Sequence, residues 1–256
     1  MIIDAHIHLD HYTEQDRNEI LAQLANYQVE ALIAVSFDLS SCLKNQSFTQ
    51  DDPRIKAAFG FHPEQEIPVL EEIDKLFSWM EEHADEMIAV GEVGLPYYKK
   101  IESKGKLNYA PYIELLDRFI SFAAATKKPI VLHAVYEDAK IVCDLLEKHQ
   151  VAKAHFHWFK GDDEVMKRMI RNGYYISITP DCLYEDEIQQ LICKYPIEQM
   201  MVETDGPWHF EGPFTNQRTE PKMMIHAIEK IAHLKNLSIA YTTQILYENT
   251  KKFYKI

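Results

Sequence analysis

The chain has 256 residues, 46% hydrophobic and 26% charged, a globular composition that excludes disordered and fibrous classes. Its 27 basic and 40 acidic residues leave a net charge of −13, which argues against a broad nucleic-acid footprint. No apolar run approaches the roughly 20 residues of a membrane span, and the length fits one α/β barrel of about 250 residues.

Short apolar runs alternate with longer amphipathic ones. Ile2–His8 reads as a strand and Thr13–Tyr27 as a helix, with Thr13 as N-cap and Asp16 three residues on. Ala31–Ser36 is a second strand before helix Ser40–Thr49, and Ile55–Gly60 a third before helix Ile67–His83. Met87–Gly91 is a fourth, separated from helix Ala110–Thr126 by a loop with Lys99, Lys100, Lys104 and Lys106. Pro129–His133 pairs with helix Glu137–His149, and Ala152–His157 with helix Asp162–Asn172, closed by Gly173. Tyr174–Ile178 precedes helix Cys182–Lys194, Met200–Glu203 precedes helix Pro221–Leu234, and Ile239–Tyr254 is a last amphipathic stretch. This series predicts a single (β/α)8 TIM barrel with an extra C-terminal helix, one domain over residues 1–256. Neither G-x-G-x-x-G nor G-x-x-x-x-G-K-[ST] occurs to support an open nucleotide-binding sheet.

Charge is unevenly spread. Nine acids and one lysine lie between Glu64 and Glu86, and Glu71, Glu72, Asp74, Glu81 and Glu82 read as the solvated face of a helix. The start Met1–His6 has no basic region, so the expectation is a cytoplasmic protein with no export signal. Cys42, Cys143, Cys182 and Cys193 are then reduced thiols, expected to be buried as small hydrophobes.

A barrel carries its chemistry at the C-terminal ends of its strands. His6 and His8 end the first strand, and His62 follows the third. Glu92 follows the fourth, His133 ends the fifth, His155 and His157 the sixth, and Glu203 and Asp205 the eighth. Residues two apart on a strand face the same way, so His6 and His8 can both enter the barrel mouth. An acid such as Glu92 after an apolar run needs a partner or a metal. Imidazoles and carboxylates gathered on one face are the donor set of a metal centre, suited to Zn²⁺, Mn²⁺ or Ni²⁺ more than to an all-oxygen Mg²⁺ site.

Four segments carry a resemblance: Asp4-Ala5-His6-Ile7-His8-Leu9-Asp10, Gly91-Glu92-Val93-Gly94-Leu95-Pro96-Tyr97-Tyr98, His157-Trp158-Phe159-Lys160-Gly161 and Glu203-Thr204-Asp205-Gly206-Pro207. In this order the chain resembles the TatD family of metal-dependent hydrolases, within the amidohydrolase-like barrels. The resemblance implies a two-metal site held by His6, His8, Glu92, His133, His157 and Asp205, with Glu92 as the bridging carboxylate and Mg²⁺ admitted for nuclease activity. Strand alternation leaves His155 and His157 on one face; the family's H-x-F-x-G spacing selects His157 as ligand and leaves His155 a structural or supporting role. Three positions depart from the family pattern: Pro96 stands for Asp, Ala134-Val135 for Ser-Arg after His133, and Thr219-Glu220-Pro221 for Asn-Glu-Pro. The absent arginine matters most, because arginine is the strongest bidentate phosphate donor.

The expected activity is hydrolysis of phosphoester bonds by a water activated between two divalent metals, with Asp205 as proton acceptor and donor. The implied substrates include single-stranded DNA or DNA ends, with no membrane partner. Hydrolysis of a C–N or carboxylic ester bond, or metal binding without catalysis, are the alternatives. Phe61, Tyr97, Tyr98, Trp158, Phe159, Trp208 and Phe210 crowd the strand ends as stacking or packing residues, and the four loop lysines form a candidate phosphate patch. His62 and His209 lie near the mouth as candidate substrate contacts; His11, His83, His149, His226 and His233 have no motif support as ligands.

Overall fold

In the computed structural model, which describes residues 1–256, each predicted strand forms and pairs in parallel with the next along the chain. The strands are β1 (Ile2–Ile7), β2 (Val29–Ala34), β3 (Ile55–Phe59), β4 (Ala89–Gly94), β5 (Ile130–His133), β6 (Ala154–Phe156), β7 (Tyr175–Ile178) and β8 (Met200–Val202). The helices are α1 (Glu14–Gln23), α2 (Leu39–Asp51), α3 (Leu70–Glu82), α4 (Tyr97–Glu102), α5 (Ala110–Thr126), α6 (Asp138–Lys148), α7 (Asp163–Arg171), α8 (Asp186–Lys194), α9 (Met224–Lys235) and α10 (Ile239–Tyr254). This is the expected (β/α)8 TIM barrel with its extra C-terminal helix. No helix is long and apolar enough to cross a membrane.

Helix starts and faces follow local chemistry. The Thr13 hydroxyl accepts from the Asp16 N–H and donates to the Asp16 carboxylate, capping α1 as expected. On α3, Ile73, Leu76 and Met80 are buried at helical spacing while Glu71, Glu72, Asp74, Glu81 and Glu82 face solvent. The largest apolar cluster lies between sheet and helices. Cys42, Cys143 and Cys182 are buried, but Cys193 is exposed near the end of α8, on the face away from Ile188 and Ile192.

Two expectations at β4 are corrected. The strand runs on through Glu92 to Gly94 rather than stopping at Gly91. A side chain at Gly94 would place Cβ 2.0 Å from the His133 carbonyl, so glycine there admits the close approach of β4 to β5. The lysine loop also begins as helix α4. Its free N–H groups at Tyr98 and Lys99 donate to the two oxygens of Glu64 (2.8 and 2.7 Å), a cap supplied from a different loop.

A second cluster fills the barrel interior: Ile3 and Ala5 of β1, Ala31 and Ile33 of β2, Ala58, Ala89, Val131 and Met201, plugged by Phe253 and Tyr254 at the end of α10. The inward set changes parity on two strands. Ile3 and Ala5 face inward, yet His6 and His8 also reach the interior, and the β1–β2 register shifts between Asp4 and Ile7. On β4, Ala89 and then Glu92 face inward across a register shift between Val90 and Val93. Each irregularity swings a candidate ligand into the barrel.

The barrel closes just beyond β8. The Asp205 N–H donates to the His6 carbonyl (3.0 Å) and the His8 N–H to the Gly206 carbonyl (2.8 Å). Beneath them the buried Asp4 carboxylate accepts from the Thr204 N–H (3.0 Å), the Thr204 hydroxyl (2.5 Å) and the His6 N–H (3.3 Å). Burial raises the Asp4 carboxyl to about 7 against these donors. Closure thus joins the first candidate ligands to the last.

Candidate metal centre

All six residues expected as ligands converge inside the C-terminal mouth, and all six are buried. His6 Nε2 lies 3.1 Å from Glu92 Oε2 and 3.2 Å from Asp205 Oδ1; His8 Nε2 lies 3.3 and 3.4 Å from the same two oxygens. The other Glu92 oxygen faces a second group. Oε1 is 2.6 Å from His157 Nε2 and 3.0 Å from His133 Nδ1, with His62 Nε2 at 3.6 Å. The two groups touch where the His6 and His157 rings stack at 3.8 Å. Asp205 and Trp158 both hold left-handed backbone, at φ 50° and 39°, a strained state concentrated at functional sites.

The donor set fits divalent metal. Glu92 Oε2 and Asp205 Oδ1 are buried without a hydrogen-bond partner, although two imidazole nitrogens stand beside them. A buried oxygen left so is costly unless a cation completes it. Subsets of the cluster, such as His6, His8 and Glu92, or His62, Glu92 and His133, bring their donor atoms within 4.8 Å of one another. His62 therefore belongs to the geometry of the centre, although its sequence context marks it only as near the mouth.

Electrostatics point the same way. Burial alone would raise Glu92, but the surrounding imidazoles, His157, His62, His6 and His133, hold its carboxyl well below the usual range. Asp205 is likewise lowered, burial being outweighed by His6, His8 and His157. Burial alone would lower His8, yet Asp205 and Glu92 push it up to about 9. Metal entering this group must displace imidazole protons.

A second buried chain supports the centre from below. Glu203 Oε1 accepts from the Trp158 N–H (2.8 Å), and its Oε2 accepts from the Ser177 hydroxyl. Ser177 Oγ also meets His155 Nε2 (2.5 Å), and His155 Nδ1 meets the Tyr254 hydroxyl (2.8 Å). Of the two strand-β6 histidines, His157 therefore meets Glu92 and His155 sits in this deeper chain. Ser177→Ala would leave Glu203 Oε2 and His155 Nε2 unpaired, and is expected to cost about 3 kcal/mol. That should lower the melting temperature by about 6–12 °C, read by thermal unfolding. A shift under about 1 °C would show that this chain carries little.

Above the centre lies a cavity of about 530 Å³ walled by Phe37, Tyr98, Trp158 and Trp208, with the acids Glu64 and Glu102. Phe61, Phe159 and Phe210 are instead buried as packing, and His209 is exposed away from the cavity. The lysine patch is partly neutralised: Lys99 Nζ meets Glu66 at 2.7 Å and Lys100 Nζ meets Glu137 at 3.3 Å.

Residues 3–255 match the family model described as TatD related DNase. The chain belongs to the TatD family. It is a metal-dependent hydrolase of the TatD type. A Haemophilus influenzae protein named as an uncharacterized metal-dependent hydrolase is 38% identical over 257 residues, covering 100% of both chains. Human deoxyribonuclease TATDN3 is 25% identical over 262 residues, covering 99% of this chain and 94% of that one. In fold, a TatD homologue of Escherichia coli K12 matches with a TM-score of 0.87 at 21% identity, covering 100% of this chain and 98% of the other.

Within this TatD-family chain three side chains carry structure that sequence reasoning missed. Glu64 caps α4 and lies 3.3 Å from His133 Nε2, so it orients an imidazole beside Glu92. Phe37 stacks on His62 at 4.4 Å and lines the cavity. Asp181 accepts from the Trp158 indole N–H at 2.6 Å and fixes that ring. None of the three lies in a recognisable motif. A carboxylate two residues after His62 and another three residues after β7 were the only visible signals.

Proposed function

We propose that this TatD-family hydrolase cleaves phosphoester bonds, with two divalent ions that His6, His8, Glu92, His133, His157 and Asp205 would hold, and with Asp205 as the proton-transfer group. The observation that carries the reading is Glu92 itself, whose two oxygens face two different sets of imidazoles. His6, His8 and Asp205 would hold one ion with Glu92, and His133 and His157 the other. When bound, such a pair supplies Lewis acidity toward water and toward the phosphoryl oxygens.

The chain's own residues supply the rest. Asp205 is held ionised by the neighbouring imidazoles, so it can take a proton from the attacking water. As the new phosphorus–oxygen bond forms and the ester bond breaks, Asp205 returns that proton to the leaving oxygen. Glu64 orients the His133 ring, and Glu203 anchors the backbone next to His157 through the Trp158 N–H. Zn²⁺, Mn²⁺ and Ni²⁺ suit the mixed donors, and Mg²⁺ remains the candidate for nuclease activity. DNA enters the proposal because a relative is named a deoxyribonuclease.

A cavity wall without lysine or arginine favours a second reading, hydrolysis of a C–N or carboxylic ester bond. A screen of phosphomonoesters, phosphodiesters, single-stranded DNA, amides and carboxylic esters with added Mn²⁺, Zn²⁺ or Mg²⁺ separates the two. Phosphoester turnover abolished by chelation is the expected outcome. Turnover confined to amides or carboxylic esters would replace the phosphoester reading with the second.

A further inference from the structure

We infer that the cavity above the metal centre selects a small phosphoester with one planar, uncharged body, and disfavours a polynucleotide strand. The inference rests on the phosphoester reading and narrows its substrate class. Its size, about 530 Å³, is that of a small-molecule site.

Shape provides the first argument. The Trp158 ring is a preset platform: its indole N–H is bonded to Asp181 at 2.6 Å and its backbone N–H to Glu203 at 2.8 Å. Asp181 is itself buried and bonded to the Thr179 hydroxyl at 2.5 Å, so the platform rests on a fixed base. Phe37 is held flat against His62, while Trp208 and Tyr98 are half exposed at the rim. Fixed ring faces accept any flat π-system by stacking.

Charge provides the second. A nucleic-acid strand brings a negative charge at every nucleotide and is held by cations along its path. No lysine or arginine lines this cavity, whereas Glu64 and Glu102 do. Glu64 is occupied by the α4 N–H groups, but Glu102 is exposed and has no cationic partner. Lys99 and Lys100 are paired with Glu66 and Glu137. Lys104 and Lys106 lie beyond the end of α4, outside the cavity lining. Lys160 lies 5.4 Å from the Trp158 ring but outside the cavity lining. The metals this centre would hold could neutralise one scissile phosphate, but flanking phosphates would find no lysine or arginine along a wall that carries Glu102.

The test compares Mn²⁺-loaded protein on the p-nitrophenyl ester of thymidine 5′-monophosphate and on a single-stranded oligothymidylate of about 20 nucleotides, at two salt concentrations. The small ester is expected to show kcat/KM about tenfold or more above the oligonucleotide, with little salt dependence. Trp158→Ala should lower kcat/KM for the small ester by about tenfold, the loss of one stacked ring. Glu102→Lys should shift the ratio toward the oligonucleotide by about fivefold or more. Faster cleavage of the oligonucleotide by the unmodified protein, falling steeply with salt, overturns the inference. If neither ester is hydrolysed the phosphoester reading fails, and binding then decides this one by quenching of tryptophan fluorescence. Tighter binding of thymidine 5′-monophosphate than of the oligonucleotide upholds the selectivity; the reverse order removes it.

Discussion

Glu92→Gln protein is expected to emerge from purification with neither metal position filled, where the unmodified chain is expected to hold about two ions. The substitution keeps the side chain's shape and removes the carboxylate charge whose two oxygens face the two imidazole groups. His6→Ala with His8→Ala should lose one ion and keep the other, because His133 and His157 still face Glu92 Oε1. Turnover of Glu92→Gln should fall by about 10³-fold, since metal stabilisation of a phosphoryl transition state is worth several kcal/mol. Elemental analysis alongside activity reads both effects. Two ions retained in Glu92→Gln would dismiss the bridging role, and no metal in the unmodified protein under any loading condition would dismiss the centre.

Asp205→Asn should reduce turnover by about 10²–10⁴-fold, the usual cost of removing a general base. Asparagine keeps an oxygen toward His6 and His8 but cannot accept the proton from water. The fold should persist, since barrel closure uses the Asp205 backbone N–H rather than its side chain. Metal content measured on the same preparation separates the two roles. Loss of turnover with metal retained marks proton transfer, whereas loss of both marks Asp205 chiefly as a ligand. Near-normal turnover would assign the proton to another group.

The positions of His6, His8, Glu92, His133, His157 and Asp205 were legible because strand ends in a barrel share one face. A polar residue closing an apolar run is visible in one dimension. The helix α4 was not legible, because its start depends on Glu64, a carboxylate more than thirty residues away. The lysines read as a cationic patch lost half of their free charge for a similar reason: Glu66 and Glu137 come from other loops. Exposure of Cys193 depends on which face of α8 meets its neighbours, which composition does not reveal.

His155 and His157 mark the division most clearly. Alternation puts both on one face, and no count along the chain separates their partners. The structure assigns His157 to Glu92 and His155 to Ser177 and Tyr254, because the end of α10 plugs the barrel at the depth of His155. The same holds for His6, His8 and Glu92, which face inward only because β1 and β4 shift register along their length. By itself the sequence determined the number and order of strands and the chemical types at their ends, since these follow from local periodicity and from the cost of burying polar groups. Tertiary structure alone decided which donors meet, how closely, and with which support. Bulges, capping from distant loops and the closure of β1 on β8 all arise between segments whose separation along the chain carries no periodic signal.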